Sequence, residues 1–216
     1  MNSDGQISYR DEVRRKLVHL SSLWMPLVMW LVPYRWPLAG AFAVLAALSV
    51  VVEHLYAGRR YRTLNRLYDF FFHNMLRSEP SPRAWIISGG PYVLAAAALS
   101  LLCFPRLIAG CAMTAMLLGD TAAALIGRIW GRHKIINGKS LEGTLAFVLI
   151  STAAIAAIMC AAGLARYAWL AALAALVGSA AELFEKNLRI DDNFSIPLAV
   201  GAALMLGLEL LGATPV

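Results

Sequence analysis

Apolar residues occur along this chain in long blocks rather than in the narrow stripes of amphipathic surface helices. Seven blocks are long enough to cross roughly 30 Å of hydrocarbon as helices. They cover approximately residues 17–33, 37–56, 84–104, 107–127, 143–163, 167–185 and 195–212. The pattern predicts an all-α, polytopic integral membrane protein with about seven transmembrane helices, folded as a single membrane-embedded domain over residues 1–216.

The segment 58–83 breaks this pattern because it is too polar to span a membrane. On a helix it would place Leu64, Leu67, Phe71 and Met75 on one side. We therefore expect an amphipathic helix that lies at the membrane interface, with its arginines toward the lipid headgroups.

Composition supports a membrane protein. Hydrophobic residues make up 60% of the 216 residues and charged residues only 15%, whereas soluble domains are about half apolar and about a quarter charged. The mean hydropathy is +0.65.

The cations are distributed unevenly between alternate loops. Sixteen of the 19 Lys and Arg residues fall on the side that carries the N-terminus, and only Arg35, Arg106 and Arg166 fall on the other. The positive-inside rule then predicts a cytoplasmic N-terminus, an external C-terminus and a location in the cell inner membrane, with the active site facing the cytoplasm. The net charge of +6 is thus attributed to a band of cations at the cytoplasmic surface that faces anionic headgroups or an anionic substrate. No nucleic acid binding is expected.

Asp120 lies inside the fourth apolar block, about two helical turns (roughly 12 Å) before Arg128. A carboxylate facing lipid costs at least about 2.5 kcal/mol, so Asp120 is expected to face the bundle interior or a wet cavity. Gly119, Ala123 and Gly127 recur every four residues around it. Such a stripe allows another helix to approach closely, within the chain or in a homodimer.

The loop that follows is cationic and punctuated by glycine. Asn137-Gly138 predicts a turn, and Ser140 is suited to cap a helix that starts at Leu141. Cations beside a helix N-terminus favour a polyphosphate site, although an ordinary positive-inside loop has the same composition. The cations are Arg128, Arg132, Lys134 and Lys139.

A second polar cluster occupies residues 182–197, on the same predicted side. Asp191, Asp192 and Asn193 precede the last apolar block, and such oxygen ligands suit Mg²⁺, which takes a carboxylate or two together with substrate phosphate. A helix cap and solvated turn is the alternative. Glu182 is a second carboxylate within an apolar block, a candidate for function or for structure.

Near the N-terminus, Arg15 and Lys16 precede His19 by about one turn, which groups cations and an imidazole on neighbouring helical positions. A juxtamembrane anchor is the alternative, and Glu53 with His54 presents a similar case. Taken together, the three clusters predict a metal-plus-polyphosphate site at the cytoplasmic surface. The membrane would supply a hydrophobic co-substrate, and transfer between a nucleotide and a lipid is the chemistry that suits both.

The order of these motifs also carries a resemblance. Gly-Asp at 119–120, Gly-Arg at 127–128, Trp-Gly-Arg-His-Lys at 130–134 and Gly-Lys-Ser-Leu-Glu-Gly-Thr at 138–144 form the first motif. With Asp-Asp-Asn-Phe-Ser-Ile-Pro-Leu at 191–198 and Arg-Arg-Lys-Leu-Val-His-Leu at 14–20, it resembles the family of dolichol kinases, phytol kinases and CTP-dependent diacylglycerol kinases. The first motif alone is also similar to phosphatidate cytidylyltransferases, and the motif at 191–198 favours the kinases.

The resemblance implies an activity and a set of roles. CTP would donate its γ-phosphoryl group to the hydroxyl of a membrane lipid alcohol (diacylglycerol, phytol or a polyprenol) with Mg²⁺ as cofactor. Asp120 and Asp192 would hold the metal. Asp120, Lys139 and Glu142 would be catalytic, and the nucleotide contacts would include Arg128, Arg132, Lys134, Lys139 and Asn193. Beside the resemblance, Glu182 and Asp191 are candidates to orient or deprotonate the hydroxyl, and Arg15, Lys16, His19 and Ser140 are expected as further nucleotide contacts. A cytidylyltransferase acting on phosphatidate, or a transporter using its intramembrane carboxylates, are the alternatives.

Overall fold

The computed structural model describes residues 9–58, 61–72, 85, 88–188 and 190–213, and the regular structure in those ranges is helical. The helices are α1 (Tyr9–Ser21), α2 (Trp24–Leu31), α3 (Arg35–Ala57), α4 (Arg62–Phe72), α5 (Gly90–Cys103), α6 (Arg106–Ile129), α7 (Leu141–Ala161), α8 (Leu170–Leu183), α9 (Glu185–Leu188) and α10 (Asp192–Leu210). Short 3₁₀ turns occur at Ile136–Gly138 and Ala165–Tyr167.

Four of the helices in the described ranges, α3, α6, α7 and α10, are long and apolar enough to cross a membrane. They correspond to the predicted blocks 37–56, 107–127, 143–163 and 195–212, with boundaries that differ by three residues or fewer. The all-α membrane class is therefore confirmed at this level. Long apolar runs fold as helices here because a helix satisfies every backbone polar group internally.

The other three predicted blocks form shorter helices. Block 17–33 is divided between α1 and α2 by a turn at residues 22–23. Pro26, in the first turn of α2, has no N–H that could donate to the carbonyl of Ser22 and continue the helical ladder from α1. The helices α5 and α8 have 14 residues each, or about 21 Å of rise. Seven transmembrane helices and the orientation of the termini stay predictions.

The predicted interfacial segment 58–83 contains one described helix, α4, whose range ends at Phe72. Leu67 is exposed on it, as expected for a residue that contacts lipid. The side chains of Leu64 and Phe71 and the whole of Met75 lie outside the described residues.

Helix α6 lies at the centre of the bundle, and 72% of its most apolar 18-residue stretch is buried. It packs against α7, α10, α2, α1 and α5. Met113, Leu117 and Phe147 are fully buried in this core. A helix enclosed on nearly every side can carry a carboxylate away from lipid, and Asp120 lies on this helix.

The small-residue stripe on α6 lets α7 approach closely, as predicted. A Cβ atom added to Gly143 would lie 2.8 Å from the carbonyl oxygen of Ala123. A Cβ added to Gly127 would lie 3.4 Å from the Cα of Gly143. The two backbones therefore meet directly beside the start of the cationic loop.

Gly143→Ala is expected to lower the free energy of unfolding by about 1–3 kcal/mol, because the new methyl group meets backbone that cannot move aside. Gly40 offers a matched control on α3, since nothing lies within 4 Å of its added Cβ. Gly40→Ala should leave stability unchanged or raise it slightly. Thermal unfolding in detergent measures both, and equal behaviour of the two variants would contradict the close contact.

The opposite end of the bundle uses its few cations to cap helices. Arg35 donates to the carbonyl oxygens of Leu101 and Leu102 at 2.5 and 2.8 Å, where α5 ends. Arg106 donates to the carbonyl oxygen of Val32 at 2.8 Å, just past α2. These two arginines therefore satisfy carbonyls at helix C-termini.

Candidate functional site

A cavity of about 630 Å³ opens at the end of the bundle that carries the cationic loop. It is enclosed by α1, α6, the loop before α7, the α8–α9 corner and the start of α10. Ten charged side chains of the described residues line it, five of each sign: Glu12, Arg15, Lys16, Asp120, Arg128, Lys134, Lys139, Glu182, Glu185 and Asp192. Three sequence clusters that were predicted separately thus share one space.

Asp120 pairs with the N-terminal helix rather than with its sequence neighbours. The Lys16 ammonium donates to Oδ2 of Asp120 at 2.5 Å, and Nε2 of His19 lies 3.4 Å from the same oxygen. Only 4% of the Lys16 side chain and 13% of the Asp120 side chain are exposed. The carboxylate therefore faces the interior, as predicted, and its partners bring α1 against α6.

Lys139 reaches the opposite wall of the cavity from the loop. Its ammonium lies 2.8 Å from Oε1 of Glu182 and 3.5 Å from Oε2 of Glu185. Burial alone would lower the pKa of Lys139, but the two carboxylates raise it above the ordinary lysine value. Lys139 is therefore a fixed positive charge at neutral pH.

The loop that presents Lys139 is closed by its own backbone. Asn137 and Gly138 both have left-handed φ angles, 59° and 81°, which confirms the predicted turn. The N–H of Ile135 donates to the carbonyl of Lys139 at 2.8 Å. The Asn137 amide also donates to the carbonyl of Leu183 at 2.7 Å, so the turn is fastened to the end of α8.

Ser140 is the N-cap of α7, as predicted, and its hydroxyl accepts a hydrogen bond from the N–H of Gly143 at 3.2 Å. The residue is buried and lines the cavity. The first turn of α7 therefore directs the positive end of its helix dipole toward the same space.

The start of α10 contributes Asp192 to the cavity wall. Asn193 is buried, and its amide donates to Asp191 at 2.5 Å and to Asp192 at 3.3 Å. Asp191 is the N-cap of α10, accepting the N–H of Asn193 at 3.1 Å, and it does not line the cavity. Asp191 is therefore a helix cap, the alternative interpretation of this cluster, whereas Asp192 belongs to the site.

Two predicted residues of the loop motif lie outside the cavity. Glu142 accepts the backbone N–H of His133 at 3.2 Å and pairs with its imidazole Nδ1 at 2.7 Å. Arg132 is exposed and does not line the space. In this conformation Glu142 holds the loop closed across its base.

A smaller chamber of about 110 Å³ adjoins the main cavity. Arg15, Lys16, Asp120 and Asp192 line both spaces, so they form the wall between them. The chamber is completed by His19, Ser22, Ser88, Gly89, Gly90, Val93, Val18 and Asn193.

Sequence reasoning missed Glu12, Glu185 and Ser88. Glu12 accepts from Arg15 at 2.6 Å, and its position three residues before Arg15 was a signal for such a pair. Glu185 follows Glu182 by three residues, a spacing that places both on one helical face. Ser88 carried no signal, because it meets the chamber only through tertiary folding.

The donor set also bears on metal binding. Among the described residues, no group of three or more His, Cys, Asp or Glu residues is arranged to hold a metal ion. Mg²⁺ does not need one, because it takes one or two carboxylates and completes its shell with water and phosphate. Asp120 and Asp192, which share a wall of the cavity, offer that chemistry.

Comparisons with known proteins give little beyond this geometry. No family model matches the chain, and no solved structure matches it. An uncharacterized protein of Rickettsia prowazekii (strain Madrid E) is 25% identical over 191 residues, which covers 87% of this chain and 90% of that protein. The chain is thus similar, over nearly its whole length, to a protein of comparable size.

Proposed function

We propose that this protein is a membrane-embedded kinase that transfers the γ-phosphoryl group of a nucleoside triphosphate to the hydroxyl of a membrane lipid alcohol. One observation carries the proposal: charged residues from three distant stretches of sequence converge on one cavity at the end of an apolar helix bundle. A polyphosphate suits the cations, and the surrounding membrane supplies the acceptor. CTP as the donor follows from the resemblance of the motifs.

The cations are assigned to the nucleotide. Lys139, Arg128 and Lys134 line the loop side of the cavity, where the N-terminus of α7 adds the positive end of its helix dipole. Together they bind the phosphates and stabilise charge that develops during transfer. Arg15 lies across the cavity and is assigned to the same phosphates.

The carboxylates are assigned to a metal. Among the described residues, five carboxylates and five cations line the cavity, so a triphosphate would meet as much repulsion as attraction from them without a divalent cation. Asp120 and Asp192 would hold Mg²⁺, which would neutralise charge on the phosphates. The Lys16 ammonium, 2.5 Å from Oδ2 of Asp120, holds that carboxylate in position before the nucleotide binds.

The transfer step needs positioning more than a strong base. The acceptor oxygen bonds to the γ-phosphorus as the bond to the β–γ bridging oxygen breaks, through a loose transition state. The hydroxyl proton passes to water in the open cavity. Of the two carboxylates predicted to assist, Glu182 lines the cavity and Asp191 does not. We assign Glu182 to positioning Lys139, because Oε1 of Glu182 accepts a hydrogen bond from the Lys139 ammonium.

The proposal includes the predicted topology of seven membrane-crossing segments with this cavity facing the cytoplasm of the inner membrane. The cationic loop and the cations of α1 lie at the cavity end, while Arg35 and Arg106 cap helices at the other end. That separation agrees with the positive-inside rule.

The test is an acceptor panel. Purified protein in detergent receives Mg²⁺, CTP labelled in the γ-phosphate, and diacylglycerol, phytol, farnesol or longer polyprenols in separate tubes. We expect labelled lipid phosphate from at least one alcohol, and none when Mg²⁺ is chelated. Failure of every alcohol to take up label, with the protein folded and several nucleotides tried, would overturn the proposal.

A further inference from the structure

An apolar groove of about 430 Å³ lies between α2, α3 and α5. Its apolar lining consists of Trp24, Leu45, Leu48, Val52, Pro91 and Leu94. Leu48 is 56% exposed and Val52 is 38% exposed in the part of the chain that the structure describes. The groove therefore faces the surroundings of the bundle, which in a membrane are lipid.

The groove adjoins the small chamber beside the proposed metal ligands. Ser88 and Gly90 line both spaces and lie between them. From the groove to the chamber the lining thus changes from leucine, valine and proline to Asp120, Asp192 and Asn193. This order of surfaces matches a molecule that is apolar along its length and carries one hydroxyl at its end.

The junction between the two spaces is held by a buried carboxylate. Glu53 is 3% exposed, and its Oε2 accepts the backbone N–H of Ser88 at 3.1 Å. Its Oε1 accepts the Tyr68 hydroxyl at 3.0 Å and also the Ser88 hydroxyl. The backbone N–H and the hydroxyl of Ser88 both donate to the buried carboxylate of Glu53. Ser88 is therefore held in a fixed position between the groove and the chamber.

We propose that the acceptor lipid approaches sideways from the membrane, with a single tail in this groove and its hydroxyl in the chamber beside Asp120 and Asp192. The inference rests on the proposed function, because the chamber matters only if a hydroxyl reacts there. A groove of about 430 Å³ with an apolar lining suits one extended tail.

A bulky side chain in the groove tests binding of the lipid tail separately from the phosphoryl transfer step. Leu48→Trp is expected to raise the KM for a long-chain alcohol about tenfold or more, because the indole fills space that the tail needs. The KM for CTP, and turnover of a short water-soluble alcohol such as hexanol, should stay unchanged. Leu149→Trp is the matched control, since Leu149 is also an exposed leucine on a spanning helix, α7, and lies outside the groove.

Photocrosslinking locates the tail without relying on turnover. A long-chain alcohol with a diazirine in its tail should label peptides of α3 and α5, and unlabelled alcohol should compete while its methyl ether should not. With wild-type protein that transfers phosphate, three results would each overturn the groove assignment. They are labelling outside α3 and α5, equal competition by the methyl ether, and an unchanged lipid KM in Leu48→Trp. If wild-type protein transfers no phosphate to any alcohol, the proposed function fails first and the groove assignment fails with it.

Discussion

Asp120→Asn is expected to lower phosphoryl transfer at least about a thousandfold, equivalent to about 4 kcal/mol of transition-state stabilisation. Asparagine keeps the shape of the side chain but removes the charge that would hold Mg²⁺ and that pairs with Lys16 at 2.5 Å. The loss should appear in kcat at saturating CTP and lipid. Size-exclusion profile and thermal unfolding in detergent report whether the variant remains folded.

A control with another aspartate separates this effect from a general loss of charge. Asp11 lies on α1, near Arg14 at 3.8 Å, and does not line the cavity. Asp11→Asn should keep transfer within about threefold of wild type, since surface ion pairs contribute at most about 1 kcal/mol. Normal transfer by Asp120→Asn would remove Asp120 from the mechanism.

Lys139→Met is expected to reduce both folding stability and transfer. It leaves Glu182 as a buried carboxylate without its nearest cation, and breaking a buried pair costs about 3–5 kcal/mol. Transfer should also fall about a hundredfold or more, because a charge aimed at the phosphates is lost. Thermal unfolding and steady-state kinetics measure the two losses separately.

The double variant Lys139→Met/Glu182→Gln distinguishes the two roles of Lys139. Removing both charges should restore most of the stability, because no unpaired carboxylate remains buried. Transfer should stay low, whereas Glu182→Gln alone should keep measurable transfer because Lys139 is still present. Recovery of transfer in the double variant would mean that Lys139 acts only through the fold.

Local signals predicted local structure well. The turn at Asn137-Gly138 and the N-cap at Ser140 were predicted from residue type, because positive φ angles and capping depend on a few adjacent residues. The four long helices followed from uninterrupted apolar runs. The break at residues 22–23 was missed, although Pro26 offered a signal for it.

Long-range geometry could not be predicted to the same depth. The charge map placed Lys16 and Asp120 on one side of the membrane, but their direct contact joins residues 104 positions apart and depends on how α1 packs. Glu142 was expected in the site by resemblance, yet it pairs with His133 at the base of the loop. The hydrogen bonds from Ser88 to Glu53 depend wholly on tertiary folding, and so does the position of the groove beside the chamber.

The measurement that tests the central claim most directly is the fate of two labels on the same nucleotide. Purified protein with Mg²⁺ would receive CTP labelled at the γ-phosphate or at the α-phosphate, in parallel tubes, with a lipid alcohol and with phosphatidate. We expect label to reach lipid only from γ-labelled CTP and only when the alcohol is present. Label reaching lipid only from α-labelled CTP, with phosphatidate as acceptor, would contradict the kinase and identify a cytidylyltransferase.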